Sequence, residues 1–251
     1  MINSKLLDSL ILVALAMPGA VMAAEASPVT ANVGFTSDYL YRGITQTGGN
    51  PAIQGGIDYA HASGFYVGAW GSNVSWIAAS SASLELDTYF GFKNSIAEDL
   101  GYDVGFLRYN YPAVYAPGAP KADTNEIYGA VSWKWLTAKY SRSISNLFGF
   151  AGSSGSGYID VSGSYKLEEA GVTLGAHYGK QTVSGTGNNG LSYTDYKLSA
   201  SRDFSGYVVG LAYSATNTRK GAGELWNIGL DDGSNLDLGR STVVLSVAHS
   251  F

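Results

Sequence analysis

The sequence has no cysteine. That rules out a disulfide framework and thiol chemistry. It is also poor in charge: Asp, Glu, Lys and Arg make up 14% of the chain, against roughly 25% in a soluble globular domain. Basic residues are the scarcer kind, 15 against 20 acids for a net charge of −5, so the basic face a nucleic-acid partner needs is missing. No apolar run reaches the roughly 20 residues of a membrane-spanning helix, and beyond the N-terminus no amphipathic helical period stands out. What fills the chain instead is glycine, 33 residues, and tyrosine, 18 residues.

The one apolar run lies near the start. Lys5 is followed by apolar residues 10–17, then Pro18 and small residues up to Ala23 and Ala24. This is the layout of a secretory signal peptide. The chain therefore divides into a signal segment, 1–24, and a mature domain, 25–251. Cleavage removes Lys5 and Asp8 together, so the mature net charge stays at −5.

The mature part alternates with a period of two. In "SLELDTYFGFK", Leu84, Leu86, Phe90 and Phe92 oppose Glu85, Asp87, Tyr89 and Lys93. About twelve such segments follow one another: 29–41, 52–61, 64–74, 83–93, 100–110, 124–133, 136–144, 157–167, 171–181, 193–203, 206–215 and 241–251. The pattern is all-β, and these lengths suit tilted strands that cross a bilayer. Phase weakens at Arg108 and Arg142, where a bulge or a displaced strand end is expected.

The connections alternate as well. Long segments such as "RGITQTGGN" and "YPAVYAPGAPKAD" take turns with short ones such as "HAS", "KW" and "FS". An up-and-down antiparallel transmembrane β-barrel, with long outer loops and tight periplasmic turns, has this rhythm. Aromatic residues gather at both strand ends. Phe65, Phe92, Tyr102, Trp133, Tyr165, Tyr207 and Phe251 fall towards the short turns, and Tyr39, Tyr41, Tyr178, Tyr196 and Tyr213 towards the long loops. Two such girdles fit two lipid–water boundaries. The chain ends on Val243, Leu245, Val247, His249 and Phe251 at every second position. A terminal aromatic after such a row resembles the signal read by bacterial outer-membrane assembly machinery.

Assigned by phase, the lumen-facing acids are Asp38, Asp58, Glu85, Asp87, Asp103, Glu126, Asp160 and Asp195. The lumen-facing bases are Lys93, Lys139, Lys166 and Lys197, with Arg42 where the first strand meets its loop. An open pore so lined favours cations by its field. The alternative is that these charges pair across the lumen and close it. For Arg42 the expected role is structural, an interfacial anchor or the partner of a wall acid such as Asp38.

The stretch 37–74, with "SDYLYRG", "PAIQGGIDY" and "GFYVGAWGSNV" in that order, resembles the TorF-like, or Gcw-type, outer-membrane porins of proteobacteria. The resemblance implies an outer-membrane barrel and says little about a solute. From residues and resemblance together, the expected protein is an outer-membrane porin for small hydrophilic solutes. Its partners are membrane lipid, lipopolysaccharide and the assembly machinery, with no cofactor, metal or nucleic acid. The oligomeric state stays open. The rival readings are an occluded barrel with a structural or surface role and, further off, a lipid hydrolase.

Other motifs are weaker. "GTGNNG", 185–190, has glycine-rich spacing but precedes a strand, so no helix N-terminus is there to hold a phosphate. "DDGSNLDLG", 231–239, gathers acids without the spacing of a helix–loop–helix calcium loop and reads as a solvated turn. His61 and Ser63 are neighbours in a turn with no evident third group to orient them.

Overall fold

The computed structural model describes residues 27–76, 81–218, 226–229 and 235–251. The signal segment 1–24 and residues 231–234 of the acidic loop lie outside the described residues. Twelve antiparallel strands close into a barrel. They are β1 (Val29–Thr36), β2 (Ala52–Ala60), β3 (Phe65–Asn73), β4 (Leu84–Ala97), β5 (Leu100–Asn110) and β6 (Thr124–Trp133). β7 (Leu136–Ser143), β8 (Gly157–Leu167), β9 (Val172–Thr182), β10 (Tyr193–Phe204), β11 (Tyr207–Thr216) and β12 (Thr242–Ser250) complete it. Each strand pairs with its neighbour in sequence, and β1 pairs with β12 to close the ring. Closure satisfies the backbone without leaving an edge.

The side-chain period puts one face in and one face out. The outer face is apolar along the strand middles, where Ile53, Phe65, Phe90, Leu198, Leu211 and Val243 are exposed, Ile53 by 67%. It turns polar only towards the long-loop ends, at Arg108, Arg142 and Lys180. The inner face carries the acids, lysines, serines and most of the buried tyrosines. The last residues are tied down. Phe251 donates its N–H to Ala31 O at 2.8 Å, and His249 lies between the Tyr207 and Phe251 rings, each centroid 4.7 Å away.

Three expectations change. The ladders run past Arg108, and at Arg142 there is no bulge: the ladder to β6 reaches Ser143 and that to β8 ends on Arg142 itself. The irregularity lies between Ser95 and Ala97 in β4. Both arginines keep the outward phase; Arg108 is held by Asn110 Oδ1 at 2.7 Å and Asn125 Oδ1 at 3.1 Å. The polar shell explains the broken pattern without a broken strand. Second, the first strand stops at Thr36, not Tyr41. Third, Tyr39 and Tyr41 do not belong to an outer girdle, because the chain turns into the barrel after Ser37.

Candidate functional site: the barrel interior

The inward turn begins at Asp38. Its Oδ1 accepts hydrogen bonds from Thr45 Oγ1 at 2.5 Å, Thr47 Oγ1 at 3.1 Å and Gly49 N–H at 3.3 Å. These bonds fold 37–50 into a knot around one carboxylate. Inside it, Leu40–Tyr41 and Ile44–Thr45 pair as a two-residue ladder. Asp38 therefore organises the loop and does not sit on the strand wall.

Arg42 occupies the tip, at φ 48°, next to Gly43 at φ 79°. A Cβ on Gly43 would stand 2.7 Å from both Asp195 Cβ and Thr216 Cγ2, so glycine lets the tip press against the far wall. Arg42 reaches across the lumen. Its Nη2 donates to Glu126 Oε2 at 2.8 Å, and its Nη1 to Glu126 Oε1 at 3.1 Å and Gln181 Oε1 at 2.8 Å. The guanidinium lies over the Tyr158 ring at 4.2 Å and the Tyr41 ring at 4.8 Å. Burial works against its charge, yet Glu126 holds it protonated above the usual arginine range. The wall partner of Arg42 is thus Glu126, from β6, and not Asp38. A planar fork suits this bidentate, stacked position and a lysine would not.

The two sides of the interior differ. On β3 to β6 the inward positions hold Tyr66, Trp70, Tyr89, Leu107, Tyr109 and Tyr128. Tyr39 from the inserted loop joins them, 5.5 Å from Trp70 in an edge-on contact. The rings lie across glycines on neighbouring strands: a Cβ on Gly105 would meet Tyr128 Oη at 2.5 Å. Acids on this side are covered by phenols. Tyr89 donates to Asp58 and Tyr66 to Asp103, both at 2.6 Å, Tyr39 donates to Glu85 at 3.3 Å, and the Tyr66 and Tyr128 hydroxyls bond each other. Glu85 and Asp87 are each 1% exposed. Burial, then Glu85 and Asp87, push the Tyr39 phenol up, so it stays a donor.

On β7 to β10 the charges mesh with one another. His177 Nε2 faces Asp195 Oδ2 at 2.7 Å and its Nδ1 faces Asp160 Oδ2 at 3.2 Å, while Tyr158 donates to Asp195 at 2.9 Å. Lys139 lies 3.9 Å from the Tyr128 ring centroid, and Lys93 lies 5.8 Å from that of Tyr66. Lys166 stands apart at the short-turn rim, exposed and paired with Glu168 at 2.9 Å.

From β10 round to β12 the inward residues are small: Ser199, Ser201, Gly210, Ala212 and Ser246. A cavity of about 90 Å³ lies against them, roofed by Asp38, Tyr39 and Leu40 and bordered by Thr36, Gln54 and Lys197. On the outer side of the inserted loop, Tyr41, Ile44, Trp76, Phe148, Tyr193 and Trp226 border a second, apolar hollow of about 50 Å³.

Among the residues expected inside, Arg42, Glu126 and Asp195 come together around the loop tip, Asp160 is joined to them through His177, and Lys139 and Lys197 lie on the strands alongside. Asp58, Lys93 and Asp103 line the barrel on the tyrosine side, and Glu85 and Asp87 are sealed within it. Gln181 and Tyr158, which the sequence does not single out, hold the tip, and His177, on the polar face, holds its neighbour Asp195. Their inward phase was visible, but nothing local says which wall a loop will reach.

Elsewhere, His61 Nδ1 and Ser63 Oγ are 2.7 Å apart in an exposed turn, and among the described residues no carboxylate bonds that histidine. Residues 185–190 form a loop with one 3-10 turn, Asn189–Leu191. Asn235–Asp237 pairs with Asn227–Gly229, and no metal-holding group of acids or histidines occurs among the described residues.

The fold is similar to that of the KdgM porin. In complex with disordered oligogalacturonate it shares 9% identity over 89% of this chain and 98% of that chain, with a TM-score of 0.52. A second KdgM porin structure gives 8% identity, the same coverage and 0.51. Identity this low speaks for the fold alone. No curated protein matches the chain. The family model described as "Bacterial protein of unknown function (Gcw_chp)" matches residues 21–251.

Proposed function

We propose, for a chain that belongs to the Gcw_chp family of bacterial proteins of unknown function, that it is an outer-membrane channel for small hydrophilic solutes. The observation that carries this reading is the contrast between the two faces of the barrel. The outside is an unbroken apolar band, far larger than a soluble monomer exposes. The inside is polar, charged and partly empty. Lipid outside and water inside satisfy both faces, and a polar lumen is what porins use to pass solutes.

In this reading the signal segment exports the chain, the band meets membrane lipid with lipopolysaccharide outside, and the row ending at Phe251 is what the assembly machinery reads. The inserted loop makes the channel narrow. Net ion preference is weak: acids exceed bases inside, but Glu85 and Asp87 are sealed in the packed wall. The inserted loop with its Arg42 tie also favours a second reading, an occluded barrel acting at the surface.

The test is single-channel conductance of the refolded mature chain in a planar bilayer under a KCl gradient. Discrete steps with a reversal potential slightly on the cation side are expected. A folded but silent barrel would replace the channel reading with the occluded one.

A further inference from the structure

The cavity along β10 to β12 contrasts with the rest of the interior in the state of its polar groups. Arg42 is taken by Glu126 and Gln181, and His177 by Asp160 and Asp195. Lys197, inward on β10 and largely enclosed, makes no hydrogen bond and no ion pair within 4 Å among the described residues. The opposite charges that act on it are Asp160 and Asp195, both bonded by His177, which stands opposite Lys197 on β9. Ser199 and Ser201 follow on the same face of β10, at the period of two. Ser201, Gly210 and Ser246 stand opposite one another on β10, β11 and β12. With strands about 4.8 Å apart, the glycine leaves a gap about two strand spacings wide between two hydroxyls. None of the three serine hydroxyls has a side-chain hydrogen bond within the described protein. All four residues border the same cavity.

The Lys197 ammonium and the three hydroxyls border one half-open space together with Asp38 and Gln54, each of which has a buried oxygen without a hydrogen-bond partner among the described residues. Donors beside acceptors make a recognition surface of definite chemistry. We propose that Lys197, Ser199, Ser201 and Ser246 form the solute-selecting site of the channel and take a small hydroxycarboxylate. Lys197 holds the carboxylate through a charge-assisted hydrogen bond, and the serines exchange bonds with the hydroxyls beside it. Chloride can accept from the ammonium and the serines but has no hydroxyl to donate in return. The site rests on the channel reading for its role in passage, but its binding chemistry stands without it.

The experiment adds gluconate to refolded barrels conducting KCl. Block of the current is expected at lower concentration than in Lys197→Met, with the half-blocking concentration rising roughly tenfold or more on losing a charged hydrogen bond. Lys197→Arg should keep most of the block, and Ser201→Ala should weaken it by a smaller factor. Equal block in wild type and Lys197→Met overturns the site. If the barrel conducts nothing, the channel reading fails, and titration calorimetry of gluconate into barrels in detergent decides the site separately. Binding heat that disappears in Lys197→Met upholds it, and no heat from the wild type overturns it. Should Lys197→Met not refold, Ser199→Ala with Ser201→Ala carries the same comparison, and unchanged gluconate affinity in that variant overturns the site.

Discussion

The tyrosine-packed wall of β3 to β6 and the small-residue wall of β10 to β12 belong to one sheet with one side-chain alternation, yet they do opposite things. The first is a core: Leu107 and Tyr109 are each 2% exposed, and phenols cap the acids among them. The second leaves room, because Gly210, Ala212 and three serines fill little of the space in front of them. The inserted loop leans on the first wall through Tyr39 and is pinned across the lumen by Arg42. What remains open lies beside the second wall. Inward side-chain volume, rather than strand number, decides where the interior stays open.

The pin should give the largest effect. Arg42→Ala leaves Glu126 buried without its counter-charge, a loss of about 3–5 kcal/mol in urea unfolding of the detergent-refolded barrel. Arg42→Met with Glu126→Met should recover most of that loss. A single-variant loss below about 1 kcal/mol, the scale of a surface pair, would mean that the pin does not hold the loop. Next comes the packed wall itself: Leu107→Ala should cost about 2–5 kcal/mol in the same assay, as buried leucines do.

The open wall should respond differently. Ser246→Leu is expected to leave stability within about 1 kcal/mol while at least roughly halving single-channel current, since the added volume enters the cavity. If it destabilises as much as Leu107→Ala, the second wall is also packed and the contrast collapses. The smallest effect belongs outside both walls. His249→Tyr, at the rim between Tyr207 and Phe251, should shift stability by no more than about 0.5 kcal/mol.

Much of this was legible in the residues. Strands such as Leu100–Asn110 and Thr124–Trp133 could be bounded because alternation ends where turn residues begin. The outward face was legible from Leu84, Leu86 and Phe90 opposite Glu85 and Asp87. The first strand shows the limit. Tyr39 and Tyr41 continue the alternation of Val33 and Phe35, and a period of two cannot distinguish an aromatic facing lipid from one packed inside. The Asp38 knot decides between them, and it depends on Thr45, Thr47 and Gly49, which become its partners only once the loop closes. Arg108 misled in the other direction. A charge in an apolar row looked like a broken strand, but Asn110, Asn125 and Asp123 solvate it at the rim.

The sequence by itself determined the barrel, its handing of apolar residues to the outside and polar ones to the inside, and the order of long and short connections. These follow from local period and turn chemistry, which neighbouring residues encode. Only the tertiary structure decided that the first loop enters the lumen, that Arg42 ends on Glu126 and Gln181, and that His177, not Lys197, bonds Asp160 and Asp195. Those pairings join residues up to 139 positions apart. They are settled by which side chains meet across a closed ring, and the register of single strands contains no record of that.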